Sequence, residues 1–143
     1  MGVGRDSYCR CLYYSANALS RRMTRIAEEE FAPTGLAPSL GFVVMTVNKK
    51  PGITAGEIAD TMQLQPSTVT RFVDKLEENG FLTRQTDGKF TNVHPTKKAA
   101  RLDPELQLAW KKLYGRYATI LGEEESAQLT LAIFTASNKL EAV

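Results

Sequence analysis

Five side chains within nine residues, Ser67, Thr68, Thr70, Arg71 and Lys75, form the densest set in this chain that could do chemistry. They are hydroxyls and cations, and the chemistry open to them is recognition. Hydroxyls and guanidinium groups can bond base edges, and ammonium groups can bond phosphates. Between them run Val69, Phe72, Val73 and Leu76 at i, i+3, i+4 and i+7. That spacing predicts a helix over about 66–79 that buries its apolar stripe and presents the polar set. Gln65 precedes it, Pro66 suits the first helical position because no amide hydrogen is needed there, and Asn79-Gly80 supplies a left-handed stop.

Acid–base and nucleophilic chemistry has far less support. His94 is the only histidine, and it falls on a predicted strand beside Pro95. Glu28-Glu29-Glu30 and Glu123-Glu124-Glu125 read as solvated helix ends. There is no Gly-rich phosphate loop, nucleophile elbow or His-containing metal cluster, so no catalytic residue, metal or cofactor is expected. Cys9 and Cys11 form a C-x-C pair on what reads as the start of the first helix. Two residues apart on a helix, they point to roughly opposite sides and would not bridge each other. Either could pair with another protomer's thiol as a redox sensor. The alternative is one packed and one incidental surface thiol, since reactivity needs a lowered thiol pKa.

The elements that must position the polar helix are legible on both sides of it. Thr54 followed by Glu57 is a capping box, and Ile58, Ala59 and Met62 give the next helix an inward stripe. Leu64 plugs the turn between the two helices. After Gly80, residues 81–85 and 90–94 read as two strands, with Asp87-Gly88 as the hairpin signal between them. Arg84 and Lys89 bring positive charge to this ribbon. Pro95 ends it, and Thr96 can cap the helix that follows. Helix, turn, helix and ribbon make a winged helix-turn-helix, a shape suited to the DNA major groove. Thr54, Gln65, Ser67, Thr68, Thr70, Arg71, Lys75, Arg84 and Lys89 are the expected DNA-contacting residues.

The flanks are helical as well. Residues 7–31 carry Leu12, Leu19, Met23 and Ile26 near heptad spacing, and residues 39–49 are almost wholly apolar, as expected for a buried central strut. A helix from Thr96 to about Leu121 carries Leu106, Ala109, Trp110, Leu113, Tyr117 and Ile120, with Asp103-Pro104 expected to kink or divide it. Gly122 and the acidic run start a last helix, favourable near a helix N-terminus. A winged domain does not need such long apolar helices at both ends, so segments 7–31 and 96–143 are assigned to a homodimer interface and 39–95 to the DNA-binding region, all within one domain over 1–143. The fold class is mainly α with a small β-wing.

Length and composition agree. A chain of 143 residues with 43% hydrophobic content can bury one substantial core. No apolar run reaches the length of a membrane span, and the N-terminus lacks a signal-peptide core, so no membrane partner and a cytoplasmic location are expected. Net charge is only +2, but residues 49–101 hold nine basic and six acidic side chains, whereas 102–143 hold four and six. Positive charge is therefore richest in the reading block.

The same block resembles the multiple-antibiotic-resistance-regulator (MarR) family of winged-helix transcription factors. The residues that carry the resemblance are Gly52-Ile53-Thr54, Glu57-Ile58-Ala59, Ser67-Thr68-Val69-Thr70-Arg71, Asp74-Lys75-Leu76-Glu77, Asn79-Gly80-Phe81-Leu82 and Val93-His94-Pro95-Thr96-Lys97-Lys98-Ala99. The flanking helices have counterparts too, so the similarity spans nearly the whole chain. It implies a homodimer that binds a palindromic operator, represses transcription and is released by a small aromatic or anionic effector, or by an oxidant. The implied pocket lies between the dimer helices and the winged domain, where Tyr13, Met45, Trp110 and Tyr114 could contribute. The family wing commonly reads Asp-x-Arg with the Arg in the minor groove. Here Lys89 holds the Arg position, and a strongly hydrated ammonium lacks the planar fork, so backbone contact is the expectation. A winged domain used for protein–protein assembly is the other class, although its contact face would need an apolar centre that the Ser67–Arg71 surface lacks.

Overall fold

The apolar segment read as a strut is the element on which the others pack. The computed structural model describes residues 2–141. In chain order these form α1 (Leu12–Phe31), α2 (Pro38–Lys49), β1 (Ile53–Thr54), α3 (Ala55–Met62), α4 (Pro66–Glu78), β2 (Leu82–Asp87), β3 (Phe90–Pro95), α5 (Lys97–Leu121) and α6 (Glu123–Glu141). Helix α2 buries Leu40, Gly41, Val43, Val44, Met45 and Val47 and touches α1, α3, α4, α5 and β3. Its own glycine is a packing requirement. A methyl group at Gly41 would sit 2.9 Å from the ring of Phe31 and 3.2 Å from Leu106, both wholly buried.

Helices α3 and α4 pack on this strut through Ile58, Ala59, Val69, Val73 and Leu76, all buried. The sheet has the order β1-β3-β2, with both pairings antiparallel. Its hairpin closes tightly: Asp87 pairs with Phe90, which leaves Gly88-Lys89 as a two-residue loop with Gly88 at φ +62°. A glycine in the left-handed region at the first loop position is what a type II′ turn requires. The root of the wing is tied to the neighbouring helices. The Thr96 hydroxyl donates to the Gly80 and Phe81 carbonyls at 2.7 and 3.0 Å and accepts from the Ala99 amide at 3.3 Å. Lys98 donates to the Asn79 carbonyl and lies 4.4 Å over the Phe81 ring.

Two expectations fail in detail. The first helix does not begin at residue 7. A 3₁₀ turn spans Arg5–Tyr8, the chain then breaks, and Cys11 is the extended residue before α1. Tyr and Cys are weak helix formers, and the Ser15 hydroxyl takes the Cys9 carbonyl as its acceptor. Cys9 and Cys11 are therefore not on opposite faces of one helix, and both are exposed and free. Of the two outcomes expected at Asp103-Pro104, a kink or a division, the division does not occur: the fifth helix runs from Lys97 to Leu121 with Pro104 inside it. Helix α2 braces that turn: Asn48 Nδ2 donates to the Ala99 carbonyl at 3.0 Å and to the Asp103 carboxylate at 3.2 Å.

The capping box at Thr54 forms as read. The Thr54 hydroxyl accepts from the Glu57 amide at 3.1 Å, and the Glu57 carboxylate accepts from the Thr54 hydroxyl and amide in return. Lys50 pairs with the same carboxylate. Its bond to Lys50, then those to the Thr54 amide and hydroxyl, hold the Glu57 carboxyl below its ordinary value of 4.5. A carboxyl whose folded-state pKa is lowered contributes stability above the ordinary carboxylate range and loses it as pH falls through the lowered value. Glu57→Gln is expected to melt below the parent at pH 7, with the gap closing as the pH is taken below 4.5. Thermal melts of both proteins across that range check this; a gap that stays constant would assign the loss to packing.

Candidate nucleic-acid interface

The polar helix is fixed from behind. Val69, Val73 and Leu76 of α4 are buried and Phe72 packs against the same core. Ser67, Thr70, Arg71 and Lys75 are exposed, and Thr68 is half-buried. Arg71 and Lys75 make no ion pair among the described residues, so their charges face outward unneutralised. Gln65 is the extended residue before α4 and makes no capping bond, which leaves its amide group available. Thr70 is exposed, and its hydroxyl donates to the Pro66 carbonyl at 3.1 Å, so its oxygen remains an acceptor. Lys89 is exposed at the hairpin tip.

Two of the expected contact residues have other work. Arg84 does not offer its charge to a ligand. Its guanidinium reaches Asp74 at 2.6 Å and Glu77 at 3.0 Å, and its amide donates to the other Glu77 oxygen at 3.1 Å. The hydrogen bond to Glu77 leads in holding the guanidinium in its charged form. Arg84 lies opposite Val93, on the face of the ribbon turned toward α4, so it joins the wing to the reading helix. The sequence held the signal for this, since Asp74 and Glu77 are two helical neighbours on one face, but only the docked ribbon shows which cation they take. Thr54 is the second correction. Its hydroxyl both accepts and donates within the capping box, so it positions α3 and leaves no free donor for a phosphate.

The turn between α3 and α4 holds a residue the sequence did not single out. Gln63 is the only non-glycine residue with positive φ among those described, at φ 54° and ψ 47°. The Leu64 amide reaches back to the Ala59 carbonyl at 2.9 Å across this turn. A left-handed side-chain-bearing residue costs about 1–2 kcal/mol, and no glycine is present to mark the position. The side chain of Gln63 is used as well: its Oε1 accepts from the Ser137 hydroxyl at 3.2 Å, so the C-terminal part of α6 touches the reading head.

The four residues assigned to an effector pocket divide into two pairs. A cavity of about 730 Å³ lies between α2, α3 and α5, lined by Met45 and Trp110 together with Phe42, Thr46, Lys49, Lys50, Ile53, Glu57, Thr61, Met62 and Gln107. Trp110 meets Phe42 edge-on at 5.8 Å, and Phe42 leans on Phe31 at 5.6 Å. Tyr114 does not line this cavity; it packs edge-on against Tyr117 at 5.5 Å, further along α5. Tyr13 is the second residue of α1, 80% exposed, at the start of a helix whose first half is little covered by its own chain. Helical spacing alone placed neither tyrosine relative to the winged domain. No group of three His, Cys, Asp or Glu residues suited to a metal occurs among the described residues.

The winged-helix arrangement has close counterparts. The MarR family model matches residues 36–89, which run from before α2 to the wing tip. The transcriptional repressor MdtR of Bacillus subtilis (strain 168) is 27% identical over 126 residues, covering 86% of this chain and 81% of MdtR. The transcriptional regulator YwoH of the same organism is 30% identical over 105 residues, covering 72% of this chain and 77% of YwoH. In fold, the chain is similar to the S. aureus MepR–DNA complex, with a TM-score of 0.77 at 19% identity over 90% of this chain and 97% of that one. With the reading block matched to the family model and the similarity carried through the flanking helices, the chain belongs to the MarR family of winged-helix transcriptional regulators.

Proposed function

We propose that the protein binds a palindromic operator as a homodimer, represses transcription from it, and is released by a small apolar or anionic ligand. The observation that carries the DNA reading is the face of α4. Ser67, Thr68, Arg71 and Lys75 are unpaired side chains on a helix whose opposite face is locked into the core. Such a helix offers donors and positive charge at fixed spacing, as major-groove readout needs. The name of MdtR supports the repressor reading, and MepR was solved on DNA. Arg71 is assigned to base edges, Lys75 and Lys89 to phosphates, and Arg84 to holding the wing at its angle.

The homodimer rests on apolar surface that the single chain leaves open. Leu12 is 69% exposed, Ile120 69%, Leu131 66% and Phe134 54%, all on α1, α5 and α6. Helix α6 buries only Ser126 within its own chain. Monomeric soluble proteins seldom expose patches of this extent, and a second copy is the simplest cover. Sedimentation at micromolar concentration is expected to give twice the chain mass of 15.8 kDa. A species of single-chain mass would remove the symmetric operator together with the dimer.

Selection of bound duplexes from a random pool tests the central reading and reports operator symmetry. On the selected site, Arg71→Ala is expected to lose about 1–3 kcal/mol and to bind altered half-sites more evenly. Lys89→Ala is expected to weaken operator and scrambled DNA alike and to lower the salt slope by about one counterion. Equal losses on both DNAs for Arg71→Ala would place that residue on the backbone.

The cavity between α2, α3 and α5 is the proposed effector site. Phe42, Met45 and Trp110 offer an apolar wall, and Lys49 lines the cavity as a cation with no ion pair among the described residues, whereas Lys50 is paired with Glu57. Trp110 is the only tryptophan and is half exposed there, so its emission reports occupancy directly. Aromatic carboxylates that release operator DNA are expected to quench or shift that emission at the same concentrations. Release with no change in Trp110 emission would put the effector elsewhere.

A further inference from the structure

The turn between α3 and α4 places a glutamine where the rest of the chain uses glycine. The end of α3 carries the two bonds of a left-handed helix stop: the Leu64 amide reaches the Ala59 carbonyl at 2.9 Å, and the Gln63 amide reaches the Asp60 carbonyl at 3.2 Å. The end of α4 repeats the pattern, with the Phe81 amide on the Leu76 carbonyl at 2.8 Å and the Gly80 amide on the Glu77 carbonyl at 3.0 Å. At α4 the left-handed residue is Gly80, and at α3 it is Gln63. Every other positive-φ residue among those described, at positions Gly35, Gly52, Gly80, Gly88 and Gly122, is a glycine. The same stop forms at lower cost with glycine, so Gln63 bears the strain of a Cβ in that region. Strain retained at such a turn points to a use for the side chain.

That use is a bond across the fold. Gln63 Oε1 accepts from the Ser137 hydroxyl at 3.2 Å, which joins residues 74 apart in sequence. Both residues line a cleft of about 530 Å³, with Leu64 and Pro66 on the side of the reading head and Leu140 on the side of α6. Gln63 stands two residues before Gln65, the residue that leads into α4, so holding its side chain holds the entry of the reading helix. Ser137 stands on a helix that buries only Ser126 within its own chain. Helices α3 and α4 also pack on α2, through the apolar contacts of the core. Apolar contact is non-directional, whereas a hydrogen bond has a preferred length and angle. The bond to Ser137 therefore adds to the core packing a fixed orientation of the head relative to α6.

We infer that Gln63 is a positioning residue: through Ser137 it ties the reading head to α6, and in the dimer it sets the separation of the two α4 helices. This rests on the operator and homodimer readings given above. A symmetric dimer presents its reading helices to half-sites about one turn of DNA apart, roughly 34–36 Å. One base pair added or removed between the half-sites moves one of them by about 3.4 Å and rotates it by about a tenth of a turn. A head held to α6 cannot follow that displacement without losing contacts. A head released at the turn can follow part of it. The tie therefore acts on the spacing of half-sites and not on the bases assigned to Arg71.

The test uses the full-length protein, the operator recovered by random-pool selection, and duplexes with one base pair added or removed between its half-sites. The parent is expected to bind the altered spacings about tenfold more weakly. Ser137→Ala and Gln63→Gly are each expected to reduce that ratio to about threefold, in the range of one lost hydrogen bond. The double variant is expected to go no lower, because both changes remove the same bond. Ser137→Thr keeps the hydroxyl and is expected to keep the parent's ratio. Gln63→Gly is expected to melt at or above the parent, since glycine relieves the left-handed strain, so its lost discrimination is not lost stability. Discrimination by Ser137→Ala equal to the parent's would overturn the tie. If Gln63→Gly alone lost it, the effect would belong to the turn's backbone or to a direct contact of Gln63 with DNA. A parent indifferent to spacing, or a Ser137→Thr variant that behaves as Ser137→Ala, would overturn it equally. A parent that selects no duplex would instead remove the DNA reading itself, and one that sediments as a single chain would remove the dimer.

Discussion

Burial of α2 is the constraint on which the rest depends. Val43, Val44 and Val47 are wholly buried, and five other elements take their place against this one helix. Each fully buried aliphatic side chain contributes about 1.5–3 kcal/mol relative to exposure, so a helix apolar on several sides cannot be left half covered. The reading head and the long α5 both pack against it. A shift of α2 therefore moves both at once. Its close approach to its neighbours is set at Gly41, where the Phe31 ring and Leu106 occupy the space a side chain would need.

The same helix links the proposed cavity to the DNA-facing elements through contacts that can be named. Phe42 of α2 carries Trp110 on one edge and Phe31 on the other. Just past its C-terminus, Lys50 reaches Glu57, which closes the capping box at the start of α3. Met45 and Ile53 share a cavity wall with both. A molecule seated there would touch the strut, α5 and the first helix of the reading head together. A second connection comes from the other end of the chain, where Ser137 of α6 donates to Gln63 in the turn before α4. Since α6 is also the helix with the least cover of its own, the proposed dimer surface and the reading head meet in one residue pair.

Cations in the reading block divide by what stands near them. Arg71, Lys75 and Lys89 have no carboxylate within ion-pairing distance among the described residues, whereas Arg84 has two. Partly exposed ion pairs are individually worth little, but one guanidinium shared between two carboxylates one helical turn apart fixes an angle as well as a distance. The wing is short, and that tie adds a side-chain link from β2 to α4 to the pairing of β3 with β1.

Much of this was legible in the residues themselves. The capping box at Thr54, the proline start and glycine stop of α4, its buried stripe and the Asp87-Gly88 hairpin are local, and each follows from backbone chemistry within a few residues. The strut was legible because a helix apolar all round has only one place to go. What tertiary structure decided was which polar groups meet. Sequence spacing made Arg84 and Thr54 look as available as Arg71. Docking of the ribbon against α4 turned the first into a brace, and the capping geometry absorbed the second. It likewise separated Tyr13 and Tyr114 from Met45 and Trp110, because helical periodicity gives the face of a residue but not its height relative to a neighbouring helix. The left-handed backbone at Gln63 had no signal at all: a glutamine carries no mark of a strained position, and only the packing of α3 against α4 imposes it.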